Sequence, residues 1–148
     1  MDSQFSYRFL EIIILFLFRP RKASNHHYVN IMQHPRSCNS LVGMVSEYTP
    51  QTLFLAGYCI NDISSIQHEF LHAVGVYHTH SRSDRDEYVT IHWDNIPHWS
   101  YNNFCKESFS LNFKTKYEPR SFMHYRWNAV PLDSLKPTIS LKVHVTSI

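Results

Sequence analysis

Glycine is scarce here, with 3 in 148 residues, so few backbone positions can take a positive φ without steric cost. Each glycine is therefore informative. Long apolar runs are missing as well: Ile12 to Phe18 is an unbroken run of seven, whereas a membrane-spanning helix needs about 20. Charge of one sign is also lacking, since 14 basic against 12 acidic residues leave +2. That balance excludes a global field for nucleic acid or anionic lipid. The sequence contains no Asn-x-Ser/Thr sequon, internal repeat or low-complexity tract. At 43% apolar and 18% charged, the chain is too hydrophobic for disorder and too often interrupted by charge for a membrane bundle. One soluble domain is expected from a chain of this length.

Three cysteines, Cys38, Cys59 and Cys105, lack the close paired spacing of a zinc knuckle or a thioredoxin-like motif. At most one internal disulfide can form, and three reduced thiols in a cytosolic protein are the alternative. The run Ile12 to Phe18 lies between Glu11 and the basic residues Arg19, Arg21 and Lys22. It reads as a buried strand, with a minimal signal-peptide core as the alternative for residues 1–24. The basic cluster has no interleaved aromatics, which predicts a solvated turn rather than a nucleic-acid patch. Neither nucleic-acid binding nor stable membrane insertion is expected.

Apolar or β-branched runs at Tyr28 to Met32, Leu41 to Val45 and Thr52 to Leu55 read as strands, punctuated by Pro20, Pro35 and Pro50. Ser64 to Val74 has helical spacing, with Ile63, Ile66, Phe70, Ala73 and Val74 forming an apolar stripe and Ser64 with Gln67 matching a capping box. After Gly75 the pattern weakens into short segments, with turns at Pro97, Pro119, Pro131 and Pro137.

Histidine is what the sequence has in excess, with 11 residues. His68 and His72 fall one turn apart on the predicted helix and about 40° apart around its axis, opposite the apolar stripe. Gly75 lets the chain leave the helix through a left-handed position and bring His78 back as a third nitrogen ligand. Three imidazoles plus water make an open catalytic zinc site. With this much histidine, the five-residue H-E-x-x-H pattern has roughly 0.03 chance matches, but the eleven-residue pattern ending at His78 has roughly 5 in 100,000. Only the longer motif argues strongly against an ordinary solvated helix face.

The motif His68-Glu69-x-x-His72-x-x-Gly75-x-x-His78, followed by Arg82-x-Asp84-Arg85-Asp86 and Ser121-Phe122-Met123-His124-Tyr125, resembles the astacins, a family of metzincin zinc endopeptidases. The resemblance spans about residues 15–142 and includes Arg21, Tyr28-Val29-Asn30-Ile31, Cys38, Cys59 and Pro137-Thr138-Ile139 in the family's order. It implies an α+β metzincin (zincin-like) catalytic domain: a twisted mixed sheet, an active-site helix and an irregular C-terminal half. It implies one Zn2+ per chain held by His68, His72 and His78, with Glu69 as general base and then acid. Tyr125 resembles the family's switch tyrosine, which binds zinc at rest and in the working enzyme swings to hydrogen-bond the oxyanion of the intermediate. Met123 is implied as an apolar floor beneath the metal, and His124 is not counted as a ligand. A Cys38–Cys59 disulfide, a secreted or extracellular location and a protein or peptide substrate are implied as well.

Three departures from the family pattern define an alternative. Thr79 stands where the family usually has Glu, so an ion pair with a mature N-terminus cannot form there. Residues 1–148 are expected to form a single but incomplete peptidase domain, lacking first strands and a closing C-terminal region, with Cys105 outside the usual pattern. Asn39 and Leu41 replace the usual aromatics at the substrate-binding edge strand. Two functions therefore compete: a zinc metalloendopeptidase hydrolysing internal peptide bonds through a zinc-activated water, and a catalytically impaired or truncated homologue that binds zinc without efficient proteolysis.

Overall fold

A computed structural model of the chain describes residues 19–45, 50–108 and 114–142. The expected strand at Ile12 to Phe18 lies outside them. Strand β1, Val29–Gln33, runs parallel to β3, Gln51–Leu55, and β2, Asn39–Ser40, pairs antiparallel with the other edge of β3. This is the expected mixed sheet, in the order β1-β3-β2. Alternate residues Gln51, Leu53 and Leu55 of β3 are buried, the period-2 signature of a strand with one covered face.

The strand expected at Leu41 to Val45 is not formed; the ladder ends at Ser40. Gly43 takes φ +71° and its N–H is given to the carbonyl of His72 at 2.8 Å, so the backbone leaves the sheet to reach the helix end.

A short helix α1, Gly57–Ile60, precedes α2, Ile63–Ala73, one residue off the predicted start and end. Ile66, Phe70 and Ala73 of α2 pack with Val29 and Cys38 around buried Leu53, Leu55 and Cys59. Ile63, expected in this stripe, is 71% exposed at the first turn. The expected capping box is not what starts the helix. Asp62 is the N-cap, its carboxylate accepting from the N–H groups of Ser64 and Ser65 at 3.1 and 3.2 Å. A disulfide joins Cys38 to Cys59, and Cys105 is a free, exposed thiol.

The second half is irregular, as expected. It contains 3-10 turns at Thr79–Ser81, Arg85–Glu87, Trp93–Asn95 and His98–Phe104, and one antiparallel pair, β4 (Val89–Ile91) with β5 (Ile139–Leu141). Its apolar centre is Val89, Ile96, Phe104, Tyr117 and Ile139. Side chains replace ladders as the fastening. Buried Asn95 donates through Nδ2 to the carbonyls of Asp133, Lys136 and Pro137 and accepts the N–H of Asp133, binding the turn before β5 to the one after β4.

Candidate metal centre and catalytic cleft

Helix α2 presents His68, Glu69 and His72 together, and its C-terminal exit delivers the fourth residue. The N–H of Gly75 bonds the carbonyl of His72 and that of Val76 bonds the carbonyl of Leu71, with Gly75 at φ +101°. These two bonds form a Schellman closure, in which a left-handed residue ends the helix. The chain thereby reverses and returns His78 beside its own helix.

The Nε2 atoms of His68, His72 and His78 lie 3.1–3.2 Å from one another. Ligands about 2.0–2.1 Å from a tetrahedral zinc stand roughly 3.3 Å apart, so this triangle fits one such ion. The hydrogen bonds on the far side of the rings agree. His68 Nδ1 donates to the carbonyl of Phe122 at 2.9 Å and His72 Nδ1 to that of Val76 at 2.8 Å, which leaves the Nε2 lone pair of each ring facing inward. Burial holds the pKa of His72 below the usual range, with the neighbouring His68 adding to the effect. His78 is pushed down to about 2, first by burial and then by His72 and the other imidazoles. Neutral rings with converging lone pairs are what a metal requires, and an all-nitrogen set excludes calcium, which takes oxygen ligands.

Glu69 is 6% exposed. The main chain of Ser40 gives its carboxylate one hydrogen bond, while Oε2 has no partner among the described residues. Burial raises its pKa to about 7. A carboxyl poised there can accept or release a proton near neutral pH.

The facing wall is the segment Ser121 to Tyr125. Met123 is 3% exposed and its carbonyl accepts the N–H of Thr79 at 2.9 Å, so this turn rests directly against the residue after His78. The half-buried ring of Tyr125 lies 4.9 Å from that of His78. Its phenol pKa is raised, by burial first and by the charge of Glu69 second. His124 points elsewhere, between the Tyr117 hydroxyl and the Tyr125 carbonyl, in keeping with its exclusion from the ligand set. A cleft of about 490 Å³ lies between helix and wall, lined by His68, Glu69, Ser121, Phe122, Tyr125 and Arg126 among others. The structure thus brings together all five residues singled out in the sequence: His68, Glu69, His72, His78 and Tyr125.

Two residues of the site carried no role in the sequence reading. His80 is fully buried against Tyr125, and Arg85, 4% exposed, donates from Nη1 to the carbonyls of His80 and Phe104. Arg85 falls within the Arg82-to-Asp86 run that supports the family resemblance. His80 follows the third ligand by two residues, where spacing alone gives no reason to prefer it over His92 or His98.

A family model described as Astacin, a peptidase family, matches residues 11–147. The chain is 39% identical over 124 residues to zinc metalloproteinase nas-13 of Caenorhabditis elegans, covering 82% of this chain and 26% of that protein. It is 40% identical over 124 residues to low choriolytic enzyme of Oryzias latipes, covering 83% and 43%. Human meprin A subunit beta is 35% identical over 123 residues, with 82% and 17% covered. Among solved structures, high choriolytic enzyme 1, a hatching enzyme zinc-protease from medaka, superposes with a TM-score of 0.76 at 32% identity, covering 84% of this chain and 60% of that one. The chain therefore spans less than half the length of these curated relatives.

Proposed function

Because the chain belongs to the astacin family of peptidases, we propose that it is a zinc-dependent endopeptidase that hydrolyses internal peptide bonds of proteins. The observation that carries this reading is the triangle of three inward-facing Nε2 atoms beside a buried, half-partnered carboxylate. His68, His72 and His78 would hold the zinc. The metal, when bound, lowers the pKa of a coordinated water toward neutrality and polarises a carbonyl.

The chain's own groups do the rest. Glu69 takes the proton of the attacking water onto Oε2, which has no other partner among the described residues, and returns it to the departing amine. Tyr125, beside His78 on the cleft wall, offers its hydroxyl as a hydrogen-bond donor to the oxyanion. Met123 closes the floor with a thioether, too soft a group to compete with imidazole.

The Cys38–Cys59 disulfide supports an oxidising, secreted or extracellular setting. Among the described residues no helix is long and apolar enough to cross a membrane.

The zinc-loaded chain, mixed with a peptide library beside its Glu69→Gln variant, tests the catalytic reading. Cleavage by the parent alone, stopped by a chelator, is expected. A folded, zinc-bound parent that cleaves nothing would overturn it in favour of a homologue that binds zinc without proteolysis. Metal analysis tests the ligand assignment separately: His72→Ala is expected to lose tight zinc binding, and an unchanged zinc content would remove these histidines from the site.

A further inference from the structure

His80 is a buried histidine outside the metal triangle, and its contacts converge on one residue. Its ring stacks on that of Tyr125, with centroids 4.0 Å apart and planes 28° apart, and the His78 ring lies 5.1 Å away at 26°, so the three rings form one cluster. Its Nδ1 accepts the main-chain N–H of Tyr125 at 3.2 Å, and its Nε2 donates to the carbonyl of Asn103 at 3.0 Å. Both ring nitrogens are thus used, with opposite polarity, which fixes the tautomer and the ring plane together. The main chain of His80 is fixed too, since Arg85 Nη1 donates to its carbonyl at 3.0 Å. The ring therefore cannot turn without breaking two buried hydrogen bonds.

We propose that His80 is a positioning residue for Tyr125: Nδ1 anchors the tyrosine main chain, and the imidazole face sets the surface along which the phenol ring swings. This rests on Tyr125 acting through its hydroxyl, as proposed above. The consequence is geometric. A phenol that serves both the resting metal and an oxyanion must travel between two places without losing either. A rigid aromatic face against the ring restricts that travel to one path. Small misplacements of a group acting only in the transition state lower kcat and leave substrate binding nearly intact.

Two variants separate the parts of the role. In His80→Gln the amide accepts through Oε1 and donates through Nε2, so both hydrogen bonds survive while the aromatic face is lost. In His80→Phe the face survives and both bonds are lost. Tyr125→Phe, run alongside, tests the underlying reading. Metal content, kcat and KM on a peptide, and the visible phenolate-to-copper charge-transfer band of the copper(II)-loaded protein are measured for each. His80→Gln is expected to keep its metal, to lower kcat about tenfold with KM within about twofold, and to shift or weaken the band that Tyr125→Phe abolishes. A folded His80→Gln protein with the parent's kcat and band, beside a Tyr125→Phe protein that has lost both, overturns the proposal alone. If Tyr125→Phe itself leaves kcat and band unchanged, the role of Tyr125 falls and this proposal falls with it. Should His80→Phe fail to fold, His80→Gln still decides, and a chain that hydrolyses no peptide is decided by the band.

Discussion

Between Val29 and Ala73 the chain places its residues by backbone ladders. Three strands and an eleven-residue helix close on Leu53, Leu55 and Cys59, and a disulfide ties the residue before the second strand to the short helix. Between Thr79 and Leu141, among the described residues, the longest regular ladder pairs only three residues a side, and buried polar side chains grip carbonyls instead. Both regions supply the site. The ladder region gives His68, Glu69 and His72 from one helix face. The turn-rich region gives Tyr125, held by His80, and bonds the residue after His78 through Met123. A helix needs only local bonds to fix the i, i+4 pair. Residues brought together from distant turns need specific side-chain fasteners, and each of those is a single point of failure.

The strongest way to break this contrast is to cut the covalent tie of the ladder region. The cysteines are separated by 21 residues, a loop whose closure entropy is worth about 3 kcal/mol in the chain-entropy model. Denaturant unfolding with and without reductant is expected to differ by that amount, while Cys105→Ser, at an exposed free thiol, leaves stability unchanged. Equal midpoints with and without reductant would mean that the sheet and helix are self-sufficient.

The corresponding cut in the turn-rich region is Asn95→Ala, which orphans three carbonyls and one N–H. A loss of about 2–3 kcal/mol is expected. Hydrogen exchange should locate it at residues 132–139, with β1 and β3 keeping their protection. A loss spread evenly over both regions would show that they unfold as one unit and that the contrast is only geometric.

A smaller effect tests the helix face itself. In the metal-free chain Glu69 titrates near 7 instead of its ordinary value of 4.5, chiefly through burial. The native state then binds more protons than the unfolded one between those values. The corresponding stability is complete below about 4.5 and is lost as pH rises through about 7, by about 2 kcal/mol once partial screening by solvent is allowed for. The lowered pKa values of His72, His78 and His80 pull the opposite way, but they are common to parent and variant. The difference between the parent and Glu69→Gln isolates the carboxyl: the variant should gain on the parent as pH rises through this window. Parallel stability curves would show that Glu69 is solvated.

The same contrast explains what was legible in the sequence. Helix periodicity, the one glycine at its exit and the spacing of three histidines are local patterns, so α2 and the triangle could be read directly. β1 and β3 followed from apolar runs between prolines. Leu41 to Val45 misled because its composition suits a strand, while the bond from Gly43 to the carbonyl of His72 is a tertiary contact that local pattern does not encode. The fasteners His80, Arg85 and Asn95 were not legible for the same reason. Each bonds main-chain groups 5 to 45 residues away, and a carbonyl leaves no mark in the sequence of the residue that bears it.

The smallest predicted effect sharpens the comparison at the start of the helix, where two caps compete on paper. Ser64 with Gln67 has the capping-box spacing, yet the structure uses Asp62, whose two carboxylate oxygens take the N–H groups of Ser64 and Ser65 and the hydroxyl of Ser65. The Ser65 hydroxyl is the largest cause of the lowered Asp62 pKa. The cap is therefore present above the ordinary carboxylate value of 3.8 and is lost as pH falls below it. Asp62→Ala should lower the thermal midpoint by a few degrees at neutral pH, because two first-turn donors lose their acceptor. Ser64→Ala should leave the midpoint nearly unchanged. The effect should also stay local. His68 lies one and a half turns further on, tethered to the carbonyl of Phe122, so zinc binding should be preserved in Asp62→Ala. If Ser64→Ala is the more damaging change, the helix starts two residues later than Asp62 allows. If Asp62→Ala loses zinc, the helix depends on its cap and the ladder region is less self-sufficient than its backbone bonds imply.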